Sequence, residues 1–198
     1  MKITAALVIA VLFTSHLFAQ QMAGMTTMDK ENQKFITAHG ASINTIGHFK
    51  ENWESGSGGY IGYGVIYPNQ FALLFQTGYI DYKNNKKSGY SGDPSFSMLP
   101  IMVGGRYYIL PDRFRLFLLA DGGINFVSQK YTVADSTVDE SRNHFHFQVG
   151  AGFSIILIDQ VEIEITAKYN SHLLDPSDPY NITGMEYAVG LNWRLSGY

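Results

Sequence analysis

From Phe35 to Leu195 the chain alternates apolar and polar residues with a period of two, and the segment VEIEITAKYNSH shows the pattern most plainly. On a strand, successive side chains point to opposite faces. Val161, Ile163, Ile165 and Ala167 therefore share one face, and Glu162, Glu164 and Lys168 the other. Eight segments carry this alternation: FITAHGASINTI, YIGYGVIY, FALLFQTGYIDY, FSMLPIMVGGRYYI, FRLFLLADGGINFVSQKY, HFHFQVGAGFSIILI, VEIEITAKYNSH and MEYAVGLNWRL. The connectors alternate in length. GHFKENWESGSGG, KNNKKSGYSGDPS, TVADSTVDESRN and LLDPSDPYNITG are polar and turn-rich, whereas PNQ, LPDR and DQ are tight turns. An up-and-down antiparallel arrangement then gathers every long connector at one end.

The two faces decide what surrounds the sheet. One face of the fifth segment carries Leu116, Leu118, Ala120, Ile124 and Phe126, and the other Arg115, Asp121 and Asn125. The sixth sets Phe145, Phe147, Val149 and Phe153 against His144, His146 and Gln148, and the eighth sets Tyr187, Val189, Leu191, Trp193 and Leu195 against Glu186, Asn192 and Arg194. A soluble barrel with the polar face inward would hold this many charges in its core, at a cost of several kcal/mol per unpaired ion. With the polar face inward, the exterior becomes a continuous Leu, Ile, Val and Phe belt far larger than a water-facing patch. An eight-stranded transmembrane β-barrel accounts for both the belt and the short-turn, long-loop asymmetry. A soluble lipocalin-like barrel has the same strand number but needs a wet outer surface.

Composition supports this reading. There is no cysteine, so neither a disulfide framework nor a thiolate metal site is available. The formal charge is −3 and no basic stripe appears, which argues against a nucleic-acid partner. The N-terminus, Met1 and Lys2 followed by ITAALVIAVLF and TSHLFAQ, has the form of a secretory leader cut after Ala19. Its apolar run is about half of the roughly 20 residues that a spanning helix requires. The expected organisation is a signal peptide over 1–19, a polar lead-in over 20–34 and a barrel over 35–198.

At this point the chain resembles the small outer-membrane β-barrel proteins, the porin-family or outer membrane protein beta-barrel domain group that includes the OmpA membrane domain and OmpX. The resemblance rests on IGHFKENWESGSGGYIGYGVIYPNQFALLFQTGYIDY, LPIMVGGRYYIL and MEYAVGLNWRL. It implies location in the bacterial outer membrane, contact with its lipids, and passage by periplasmic chaperones to the barrel-assembly machinery. It also implies a surface or host ligand met by the external loops. A closing outward aromatic is usual in the group. Tyr198 is out of phase with Trp193 and Leu195, which leaves either Tyr198 or the internal VGLNWRL as the assembly signal.

Eight strands enclose an interior just wide enough for their own side chains. Inward ionisable residues are expected to form an ion-pair network: Arg106, Arg115, Asp121, Glu162, Glu164, Lys168, Glu186 and Arg194, with Glu162 to Arg194 and Lys168 to Glu186 as the expected pairs. Tyr67, Phe71, Tyr107, Phe114 and Trp193 are expected in one interfacial girdle, and Tyr79, Phe126, Phe145, Tyr169 and Tyr187 in the other. His144 and His146 share a face, with His172 at similar height, but spacing fixes no further ligand, so a polar lumen rim is preferred to a metal site. Ser171, His172 and Asp175 are the residues that a lipid-A hydrolase constellation would use. Adjacent residues on a strand diverge, so no catalytic residue and no cofactor is assigned. Trp53, Tyr90 and Tyr180 are the candidate contact aromatics of the loops. The expected function is a non-enzymatic barrel with a side-chain plug, the alternatives being a small selective channel, a lipid-A-modifying hydrolase and a soluble binder.

Overall fold

The computed structural model describes residues 32–86, 88–110, 113–133, 136–172 and 181–195. They form one closed antiparallel barrel in the order β1 to β8, each strand paired with its sequence neighbours and β1 closing on β8. The strands are β1 (Gln33–Thr45), β2 (Trp53–Ile66), β3 (Phe71–Asn84), β4 (Ser91–Leu110), β5 (Phe114–Val133), β6 (Ser136–Ile158), β7 (Val161–His172) and β8 (Thr183–Leu195). A one-turn helix, α1 (Phe49–Asn52), stands between β1 and β2. Closure pairs Phe35 with Arg194 and Thr45 with Gly184, so no edge is left along the seam. Burial alternates residue by residue, as in β7, where Glu162, Glu164, Thr166, Lys168, Asn170 and His172 are buried.

The β2–β3 turn is tight as expected: Tyr67 N–H donates to the Phe71 carbonyl at 2.8 Å across it, and Gln70 there takes a positive φ of 67°. The loop end differs from the reading above. WESGSGG lies in β2, SGDPS in β4, and most of TVADSTVDESRN in a β5–β6 ladder that runs out to Val133 opposite Ser136. β4, β5 and β6 have 20, 20 and 23 residues. A tilted strand needs about 9–11 residues to cross a bilayer, so the β5–β6 hairpin projects well past the apolar belt. Outside the belt both faces meet water and no alternation is required. Polar composition there does not separate strand from loop.

Candidate functional site

The barrel interior is built in tiers. Nearest the turn end, Glu162 of β7 accepts from Arg194 Nη2 of β8 at 3.0 Å and from the Ser154 hydroxyl, with Arg115 Nη1 of β5 at 3.6 Å. Above it, Glu164 accepts from Arg106 Nη1 of β4 at 2.6 Å and from Asn192 Nδ2 at 2.8 Å, with His39 Nε2 at 3.2 Å. Thr37 Oγ1 lies 3.0 Å from the same His39 nitrogen. Aromatic faces line these cations: Arg106 sits 5.1 Å from the Phe117 ring and 5.9 Å from Phe35, and Arg115 5.4 Å from Tyr108.

The middle tier is centred on Glu186 of β8. Its carboxylate meets Lys168 Nζ and accepts from the Tyr60 hydroxyl at 2.8 Å, Asn170 Nδ2 at 3.0 Å and Gln148 Nε2 at 3.3 Å. Lys168 Nζ also lies 4.8 Å from the Tyr60 ring. Asp121 of β5 accepts from Gln76 Nε2 at 3.2 Å, and among the described residues no cation lies within ion-pair distance of it. Gly104 makes room for that carboxylate, because a Cβ there would overlap Asp121 Oδ1. The eight charged positions comprise four cations (Arg106, Arg115, Lys168, Arg194) and four anions (Asp121, Glu162, Glu164, Glu186), so this set is neutral.

At the loop end the interior turns apolar, a feature the alternation did not reveal. Ile43, Phe49, Trp53, Ile80, Tyr82, Phe96, Met98, Met102, Val127 and Ile182 form one buried cluster. α1 folds inward and places Phe49 edge-on against Tyr82 at 5.4 Å and Phe96 at 5.1 Å. This overturns the assignment of Trp53 as an exposed contact aromatic: it is 2% exposed and packs 5.2 Å from Phe96. Trp53 opens β2 instead of lying in a loop, and a register shift between Trp53 and Ser55 turns it inward, as a bulge does. Tyr90 stacks on Tyr131 at 4.4 Å and leans on Trp53 at 6.0 Å, and its partial burial and the neighbouring Tyr131 phenol push its own phenol up. Tyr180 lies outside the described residues.

His146 and His172 are buried inside the barrel and His144 is half-buried at its rim. Asn125 Nδ2 approaches His172 Nε2 at 2.7 Å. Ser171 takes the opposite face and donates to the His172 carbonyl at 3.2 Å, so Ser171 and His172 do not form a nucleophile–base pair; Asp175 lies outside the described residues.

On the exterior, the expected girdle aromatics stand outward. Tyr79, Tyr107, Phe114, Phe126, Phe145, Tyr169, Tyr187 and Trp193 are exposed. Phe71, opposite Tyr107 on β4, and Tyr67, in the β2–β3 turn, are half-buried. Between them Leu73, Val103, Leu118, Val149, Ile165, Val189 and Leu191 present a belt of exposed apolar side chains.

Comparison with known proteins places this geometry. The profile of the outer membrane protein beta-barrel domain matches residues 7–194, beginning inside the expected leader, which lies outside the described residues. No curated protein matches the sequence. Among solved structures, a major outer membrane protein from Thermus thermophilus superposes with a TM-score of 0.60 at 11% identity, covering 83% of this chain and 100% of that one. OprG from Pseudomonas aeruginosa gives 0.57 at 11% identity over 83% and 97% of the two chains. Ail, the attachment invasion locus protein of Yersinia pestis, gives 0.54 at 15% identity over 85% and 100%. At such identity the structures attest the fold, and the profile match over nearly the whole chain attests the family. The chain is a bacterial outer-membrane protein and belongs to the outer membrane protein beta-barrel domain family.

Proposed function

We propose that this chain is a non-enzymatic outer-membrane barrel whose interior is closed by its own side chains and whose interactions are made at the external, loop end. One observation carries the reading: the interior is occupied in two chemically distinct layers, a neutral ion-pair network below and an aromatic cluster capped by Phe49 above. Buried charges that are paired and hydrogen-bonded hold one arrangement, and moving any of them opens an uncompensated partner. A path through the barrel would have to break both layers. The protruding β5–β6 hairpin, with Lys130, Asp139, Glu140 and Arg142 outside the belt, supplies the surface for contact with other molecules. Ail, similar in fold, has been solved in complex with the heparin analogue sucrose octasulfate. This supports seeking the ligand of the present chain among extended surface polymers that meet the external end. The lipid-facing belt contacts outer-membrane lipids, and delivery by chaperones to the assembly machinery is part of the same proposal.

Reconstitution into planar bilayers tests the closed interior. The wild-type chain is expected to give no stepwise conductance, and lipid A extracted from cells carrying it is expected to keep its mass. Reproducible single-channel steps would replace this reading with a small selective channel. A loss of acyl mass that depends on the protein would replace it with a lipid-modifying enzyme.

A further inference from the structure

We propose that the histidines at the external end of the interior form a binding site for one borderline divalent cation of the zinc, copper or nickel class. His146 on β6 and His172 on β7 are direct cross-strand partners, and His144 lies one pleat above on the same face of β6. The His146 and His172 rings are 5.2 Å apart and nearly perpendicular, and the His144 and His172 rings 5.7 Å apart. Two imidazoles sharing a tetrahedral ion through bonds of about 2.0–2.1 Å place their ring centres about 5 Å apart. The spacing therefore already matches that of a shared ligand.

A second observation is the state of His146. It is 3% exposed, and among the described residues neither ring nitrogen has a hydrogen-bond partner. Buried polar atoms are nearly always paired, and an orphaned one in a native interior calls for an ion or water. His172, by contrast, is held by the Asn125 side-chain amide at 2.7 Å, and Asn125 Oδ1 itself lacks a partner among the described residues. A turn of that amide makes Oδ1 the acceptor for the His172 Nε2 proton. Metal-bound imidazoles commonly use their second nitrogen in this way.

Charge and softness define the ion. Asp121, which accepts from Gln76 and joins none of the ion pairs among the described residues, faces the interior one pleat below Gly123, the cross-strand partner of His146, and adds negative charge to the tier that a dication would enter. The other charged groups facing this tier, Lys168 and Glu186, are already paired with each other. An imidazole set suits zinc, copper and nickel, whereas calcium and magnesium prefer oxygen ligands. Among the described residues no three donors converge on a single point, so binding turns the rings inward. Among the described residues His146 has no hydrogen bond to lose in that turn, and half-buried His144 at the rim marks the entry.

The test uses the untagged mature chain refolded in detergent. Cu(II) titration followed by electron paramagnetic resonance is expected to show one bound ion per barrel with nitrogen hyperfine structure from more than one imidazole. Equilibrium dialysis with Zn(II) is expected to show matching stoichiometry. His146→Gln and His172→Gln should each weaken binding at least tenfold, and His48→Gln, on the exposed rim, should leave it unchanged. Heat-modified mobility in SDS establishes that each variant is folded. Absence of saturable binding to the folded wild type overturns the proposal without recourse to any variant. So does binding that survives both His146→Gln and His172→Gln.

Discussion

Glu164→Gln is expected to destabilise the barrel by about 3–5 kcal/mol, because it removes one partner of a buried ion pair and leaves the other charge in place. The stranded group is Arg106, 3% exposed and held by Glu164 at 2.6 Å. The amide preserves much of the side-chain shape, so the loss reports charge more than volume. Adding Arg106→Met should recover most of it, since a buried pair replaced by an apolar group of similar size is often neutral or stabilising. Urea titration of the folded fraction in lipid vesicles measures both. A Glu164→Gln variant as stable as wild type would show that the Arg106–Glu164 contact does not hold the interior together.

The second large effect concerns the outer face. Val103→Arg, at a position 58% exposed in the middle of the belt and cross-strand from Gly122, is expected to cost about 2–4 kcal/mol in vesicles. On a water-facing surface the same change would cost within about 0.5 kcal/mol. Ser128→Arg supplies the internal contrast, because Ser128 is exposed on β5 beyond Phe126, where the cost should fall to about 0–1 kcal/mol. Equal, small effects at both positions would mean that the belt does not face lipid.

These expectations separate what the sequence makes legible from what it does not. The strand faces follow from alternation alone, because a one-residue slip would turn the belt inward. The Lys168–Glu186 contact is also within reach, since the two are direct cross-strand neighbours on β7 and β8. Arg106 and Glu164 lie on β4 and β7, which do not pair, and meet only across the interior. Such contacts depend on barrel closure and strand stagger, which a linear pattern does not encode. His39 joins Glu164 in the same way, from β1. Trp53 reads as a loop residue because the polar, glycine-rich GHFKENWESGSGG carries no alternation; it in fact opens β2, where a local register shift turns it inward. The extended hairpin reads as loop because its residues face water on both sides.

The measurement that tests the central claim most directly is the electrophoretic mobility of the detergent-refolded mature chain in SDS, with and without boiling. A barrel whose backbone pairing is closed, with β1 sealed to β8, leaves SDS no edge to invade. The unboiled chain is therefore expected to migrate at a different position from the boiled one. Identical migration in the two lanes, together with folding in plain buffer without detergent or lipid, would contradict the account and indicate a water-soluble barrel.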